Sequence, residues 1–154
     1  MDFQTALKQE KLDDIRKCPK ADLHNHFVLG GSRRFLKEQT GKDIQPITKP
    51  LNSMDEIQHG IAAVEDPSVI RFLSDNHIRL NITPTSNYLL GRVKDFKTHP
   101  IAELYRSGVD VTINSDDVLI FDSDVSKEYL RLYQSGCLNA EELDNIRKNG
   151  LKKL

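Results

Sequence analysis

The 154-residue chain has no tryptophan, only two cysteines and no apolar run long enough to span a bilayer. Each scarcity removes a class of function. Cys18 and Cys137 lie far apart in no Cys-x-x-Cys pair, so neither a disulfide framework nor a thiolate metal knuckle is expected, and free thiols fit a reducing compartment. Charge of one sign is missing too. Twenty-two basic residues against 23 acidic ones leave a net charge of −1, which gives no footprint for nucleic acid or an anionic membrane surface. No basic patch with an aromatic platform offers itself to a single strand. The N-terminus lacks the charged head and apolar block of a signal peptide, so a cytoplasmic protein is expected. With 38% hydrophobic and 29% charged residues and no repeat, the chain reads as one soluble globular domain.

What is present reads as α/β. Asp2–Lys17 carries an apolar stripe of Phe3, Leu7, Leu12 and Ile15 and predicts a helix, ended by Pro19. A strand is expected over Lys20–His26. Gly30-Gly31 marks a turn, and Ser32 caps a short helix that Gly41 ends. Ser53-Met54-Asp55-Glu56 is a capping box with no helix behind it, since His59-Gly60 follows as a strand end or turn. A start signal without its element marks a functional oddity or a seam. Beyond it, Asp66-Pro67 opens a helix to about Asn76, His77–Ile82 alternates as a strand, and Thr83–Asn87 breaks it as a turn. A helix from Thr98 to Gly108, a strand over Val109–Ile113, and helices over Val125–Tyr133 and Asn139–Lys148 complete the pattern. Short strands alternating with helices of about ten residues mean βα units and a parallel sheet.

Leu23-His24-Asn25-His26 is the stretch on which function turns. Two residues apart on a strand, His24 and His26 project from one face as a chelating pair, although two histidines at a surface strand end fit the same pattern. In parallel α/β folds the active groups gather at the carboxyl ends of strands. His24, His26, His59, the Pro84–Asn87 turn and Asp116-Asp117 all fall at such ends. A carboxylate joining two histidines makes a mixed nitrogen and oxygen donor set suited to zinc, whose open position activates water near neutral pH. A further histidine would move protons, so hydrolysis at an electrophilic carbon is the chemistry expected. Asp116 and Asp117 fit a turn or helix cap as well, and His59 a surface loop. His77 and His99 are read as non-ligands. Neither Gly30-Gly31 nor Leu90-Gly91 forms a phosphate cradle.

Pro19–His26, His59-Gly60 with Glu65-Asp66-Pro67, Pro84-Thr85-Ser86-Asn87, His99-Pro100-Ile101 and Thr112–Asp117 stand in an order that resembles the adenosine deaminase family of metal-dependent amidohydrolases. The resemblance implies a (β/α)₈ barrel with one zinc ion that hydrolytically replaces the 6-amino group of a purine nucleoside. It assigns His24, His26 and Asp116 to zinc, His59 to orienting or deprotonating the attacking water, and Asp117 to hydrogen-bonding the purine ring. Val28 stands where the family commonly has an acidic residue contacting the sugar, which leaves adenosine and another aminopurine as alternatives. The His-Ala-Gly-Glu block that brings a third zinc histidine and a proton-donating glutamate is absent. So is the cysteine signature of the other zinc deaminases.

The expected architecture is therefore an incomplete TIM-barrel-like half-barrel holding strands 1, 6, 7 and 8, with residues 1–56 and 57–154 meeting at a deletion seam. Two open sheet edges and an uncovered apolar inner face would favour a homo-oligomer. Two outcomes stay open: a zinc-dependent purine aminohydrolase, or an inactive remnant that binds metal weakly or only self-associates.

Overall fold

The computed structural model describes residues 1–24 and 56–152. Gly30-Gly31, the Ser32 helix, Val28, His26 and all of the Ser53 capping box but Glu56 lie outside them. Three short parallel strands form the sheet: β1 (Glu56–Gln58), β2 (Arg79–Ile82) and β3 (Val111–Ile113), in that spatial order. Ile57 pairs with Leu80 and Leu80 with Val111, so these three side chains point to one face, while Gln58, Asn81 and Thr112 share the other. The chain is thus α/β with a parallel sheet. Among the described residues the sheet has three strands rather than four.

The helices are α1 (Phe3–Lys8), α2 (Leu12–Lys17), α3 (Pro67–Asp75), α4 (Pro84–Leu89), α5 (Ile101–Arg106), α6 (Val118–Phe121), α7 (Val125–Gln134) and α8 (Ala140–Gly150). The single N-terminal helix read from the sequence is two. Glu10 turns the chain with φ of 53°, because Leu12 and Ile15 are out of phase with Phe3 and Leu7, and only a re-aimed second helix buries Ile15 completely. Asp66 caps α3 through Ser68 N–H, with Pro67 behind it, as its sequence predicts. Asn139 and Glu142 form a reciprocal capping box on α8. The Thr83–Asn87 turn is instead the start of helix α4, entered through Pro84.

One sheet face is apolar and joins the core: Leu80, Ile82, Val111 and Ile113 are buried together with Leu7, Leu104, Leu132, Leu143 and Ile146. The other face is polar, buried over β2 and β3 and partly exposed on β1, where an uncovered apolar surface was expected. Every residue of β2 and β3 is buried, and the polar side chains are joined across the strands. Arg79 donates to Glu56 at 3.3 Å and to Asp110 at 3.2 Å, Asn81 Nδ2 donates to Glu56 at 2.9 Å, Thr112 Oγ1 donates to Asn81 Oδ1 at 2.7 Å, and Asn114 Nδ2 donates to Thr112 Oγ1 at 3.0 Å. The chain of bonds ends where Leu23 N–H donates to Asn114 Oδ1 at 2.6 Å. It runs from β1 to the residue before His24.

Candidate metal centre

Lys20–His24 is not a strand in the structure. Two side chains and one main-chain bond supply the partners that a ladder would have given. Asn114 accepts from Leu23 N–H, the Asp22 carboxylate accepts from Ser115 N–H at 3.1 Å and from Ser115 Oγ, and Asp116 N–H donates to His24 O at 2.9 Å. These contacts fasten residues 22–24 along the carboxyl end of β3.

That fastening brings His24 to Asp116. The imidazole Nε2 lies 3.6 Å from Asp116 Oδ1, and both side chains are buried. Asp116 adopts φ of 63°, a left-handed conformation that aspartate tolerates better than most residues. His59 arrives from the end of β1. Its N–H donates to Asn81 O at 2.9 Å, one step past the ladder, and its own φ of 65° with 76° at Gly60 swings the chain away from the sheet. A Cβ at Gly60 would stand 2.8 Å from Leu80 Cδ2, so the turn requires glycine. The His24 and His59 rings are 4.5 Å apart between centroids.

One ligand atom from each of His24, His59 and Asp116 lies within 4.8 Å of the others. The buried His24 and half-buried His59 imidazoles with the buried Asp116 carboxylate form a donor set that fits zinc or a similar divalent ion. Their ring partners fix how they face. His24 Nδ1 is hydrogen-bonded to Gln58 Oε1, and His59 Nδ1 to Thr83 Oγ1 at 2.9 Å. Asp117 is half-buried, and its side chain does not cap α6. The structure thus brings His24, His59 and Asp116 together with Asp117 next in the chain, while His26 lies outside the described residues.

The two other histidines sit elsewhere. His77 is exposed. His99 is buried, accepts from Ile101 N–H at Nδ1 and donates from Nε2 to Asn87 Oδ1; burial lowers its pKa to about 4 and keeps it neutral. Burial also pushes the Cys137 thiol up to about 11, which leaves it inert at neutral pH.

Beside His59 opens a cavity of about 820 Å³, walled by Ile61, Val64 and Leu90 with Ser86 and Asn87 as polar groups, a size that holds a small molecule. The helix that lines it is anchored from beneath. Thr83 gives α4 no side-chain cap; instead the buried Glu128 carboxylate accepts from Thr85 N–H at 2.8 Å and from Ser123 Oγ. Burial raises the Glu128 pKa, against those hydrogen bonds and Arg131.

Sequence reading missed Gln58, Thr83, Asn114 and Asp22, because their roles exist only across the fold. The one local hint was alternation along β1, which sets Glu56 and Gln58 on the face opposite Ile57.

Comparison with known proteins bears on the family and the fold. An adenosine deaminase from Plasmodium knowlesi is 35% identical over 142 residues, covering 88% of this chain and 39% of that protein. The solved adenine deaminase of Arthrobacter aurescens superposes with a TM-score of 0.60 at 29% identity, over 63% of this chain and 30% of that one. An amidohydrolase from Burkholderia ambifaria, solved with bound Zn, shares the fold at a TM-score of 0.54 and 22% identity, over 63% and 28% of the two chains. The chain spans about a quarter to two fifths of the length of the curated relatives it matches. The family model described as adenosine deaminase matches residues 38–153, three quarters of the sequence, and the chain belongs to that family.

Proposed function

We propose that this chain is a zinc-dependent aminohydrolase that replaces the exocyclic amine of a purine nucleoside or aminopurine with oxygen and releases ammonia. The observation that carries the reading is the convergence of His24, His59 and Asp116 at the carboxyl end of the sheet. His24 and Asp116 would hold the ion, with His26 as the ligand that the family resemblance adds. Bound zinc supplies a Lewis acid that makes water nucleophilic near neutral pH.

The remaining steps belong to the protein. His59, oriented by Thr83, takes a proton from the attacking water and steadies the charge that develops there. Asp117 would hydrogen-bond the purine ring. Thr83 holds the His59 ring beside the cavity in which a substrate would lie. No His-Ala-Gly-Glu glutamate stands in the sequence to protonate the ring, a role worth about 10² to 10⁴ in rate. Turnover is therefore slow relative to a full-length family member. Within the family fold, the described strands correspond to strands six, seven and eight, the His24 segment to strand one, and the deletion falls near Glu56-Ile57.

A second reading is favoured by the absence of a His-Ala-Gly-Glu block from the sequence: a remnant that binds metal weakly or only self-associates, through β1 and the exposed apolar residues of α6. An ultraviolet assay of adenosine conversion to inosine, with zinc added and removed, separates the two. Zinc-dependent turnover in a folded chain supports the enzyme, and its absence supports the remnant.

A further inference from the structure

The fold hands His24 a partner that no motif announced. Strand β1 is three residues long, and its pairing with β2 sets Gln58 beside Asn81 on the polar face, with Ile57 turned into the core side. From there the Gln58 amide reaches His24, with Oε1 on Nδ1. The other ring nitrogen, Nε2, faces Asp116 Oδ1 at 3.6 Å. A neutral imidazole carries one proton, and the nitrogen that donates it cannot bind a metal.

We propose that Gln58 is the positioning residue that fixes the tautomer of His24. Its carbonyl oxygen accepts the proton at Nδ1 and leaves the Nε2 lone pair directed at the Asp116 cluster. The metal half of this inference rests on the proposed zinc site, whereas the tautomer half does not. Glutamine suits the task because its carbonyl orients the ring without adding charge, whereas a carboxylate in the same place would also raise the basicity of the ring. The amide could present its nitrogen instead. That orientation would leave the proton on Nε2 and disable the ligand, so the bond has a definite sense that experiment can read.

The test uses the intact chain without metal, labelled with ¹⁵N at histidine, at a pH where the ring is neutral. Long-range proton–nitrogen correlations should show His24 protonated at Nδ1 in the native protein and in Gln58→Glu, and a shift toward the Nε2–H form in Gln58→Leu, which keeps the shape and loses the acceptor. Zinc titration of the same three proteins should give a 10- to 100-fold loss of affinity in Gln58→Leu and none in Gln58→Glu. An Nε2–H ring in the native protein, or a Gln58→Leu variant unchanged in both tautomer and affinity, overturns the proposal. Should the tautomer follow the prediction in a protein that binds no zinc, the metal reading fails and the role of Gln58 stands.

Discussion

Asp116 gives its main-chain N–H to the carbonyl of His24 at 2.9 Å while their side chains face each other across 3.6 Å. One residue thus fastens the other and shares its site, and the two should fail together. His24→Ala and Asp116→Ala are each expected to lower zinc affinity by at least about tenfold, the effect that even an outer partner commonly has. His59→Ala, in the role of proton carrier rather than ligand, should stay within about tenfold of the native affinity while turnover falls by about 10² to 10⁴. Competition against a chromophoric chelator measures the first quantity and initial rates the second.

Glu128 is the support on which α4 rests. Removing it in Glu128→Ala leaves Thr85 N–H and Ser123 without their acceptor and should cost about 2 to 4 kcal/mol in urea unfolding. Its pH signature is distinctive. Burial raises the Glu128 pKa above the ordinary carboxylate value of 4.5, so the folded state holds this proton more tightly than the unfolded one. The stability it contributes is present at low pH and is lost as pH rises through the raised value. Glu128→Gln should remove that loss from the difference between the two stability profiles.

His99 runs the other way. Its pKa falls from 6.5 to about 4 through burial, and protonating Nδ1 would also break the bond from Ile101 N–H. The unfolded state binds the proton first, so stability is present above pH 6.5 and is lost as pH falls toward 4, by about 3 kcal/mol at about 1.4 kcal/mol per pH unit. Unfolding of the native chain and His99→Gln across that range should differ by this amount in slope-integrated stability. Parallel curves would contradict it.

Leu119 is 94% and Ile120 69% exposed on α6, beside α4 with its exposed Leu89. Large apolar side chains so exposed favour association. Sedimentation should show a self-associating chain that the Leu119→Lys, Ile120→Lys double variant renders monomeric. A native chain already monomeric at micromolar concentration would contradict the expected homo-oligomer.

Sequence and structure agree most where short-range chemistry decides. Asp66-Pro67 starts its helix where expected, and Val111–Ile113 is a strand that leads to the paired aspartates. His99, read only as a non-ligand, is a core histidine, and neither its burial nor its bond to Asn87 could be seen from sequence. The break at Glu10 escaped notice because a 3.6-residue stripe tolerates one slipped position on paper, whereas burial of Ile15 does not. Thr83–Asn87 read as a turn since proline and asparagine mark turns, and the Glu128 carboxylate that lets a helix start there is 43 residues away. The Lys20–His24 segment lost its strand to side-chain partners on Asn114 and Ser115. Gln58 and Thr83 gained their roles only when β1 and β2 came together.

The most direct measurement is the ultraviolet assay for conversion of adenosine to inosine by the purified chain, with zinc content fixed and folding checked in parallel. The account predicts slow turnover that requires zinc, is lost in Asp116→Ala and His24→Ala, and falls without loss of metal in His59→Ala. Folded, zinc-loaded protein with no more activity than Asp116→Ala would contradict it.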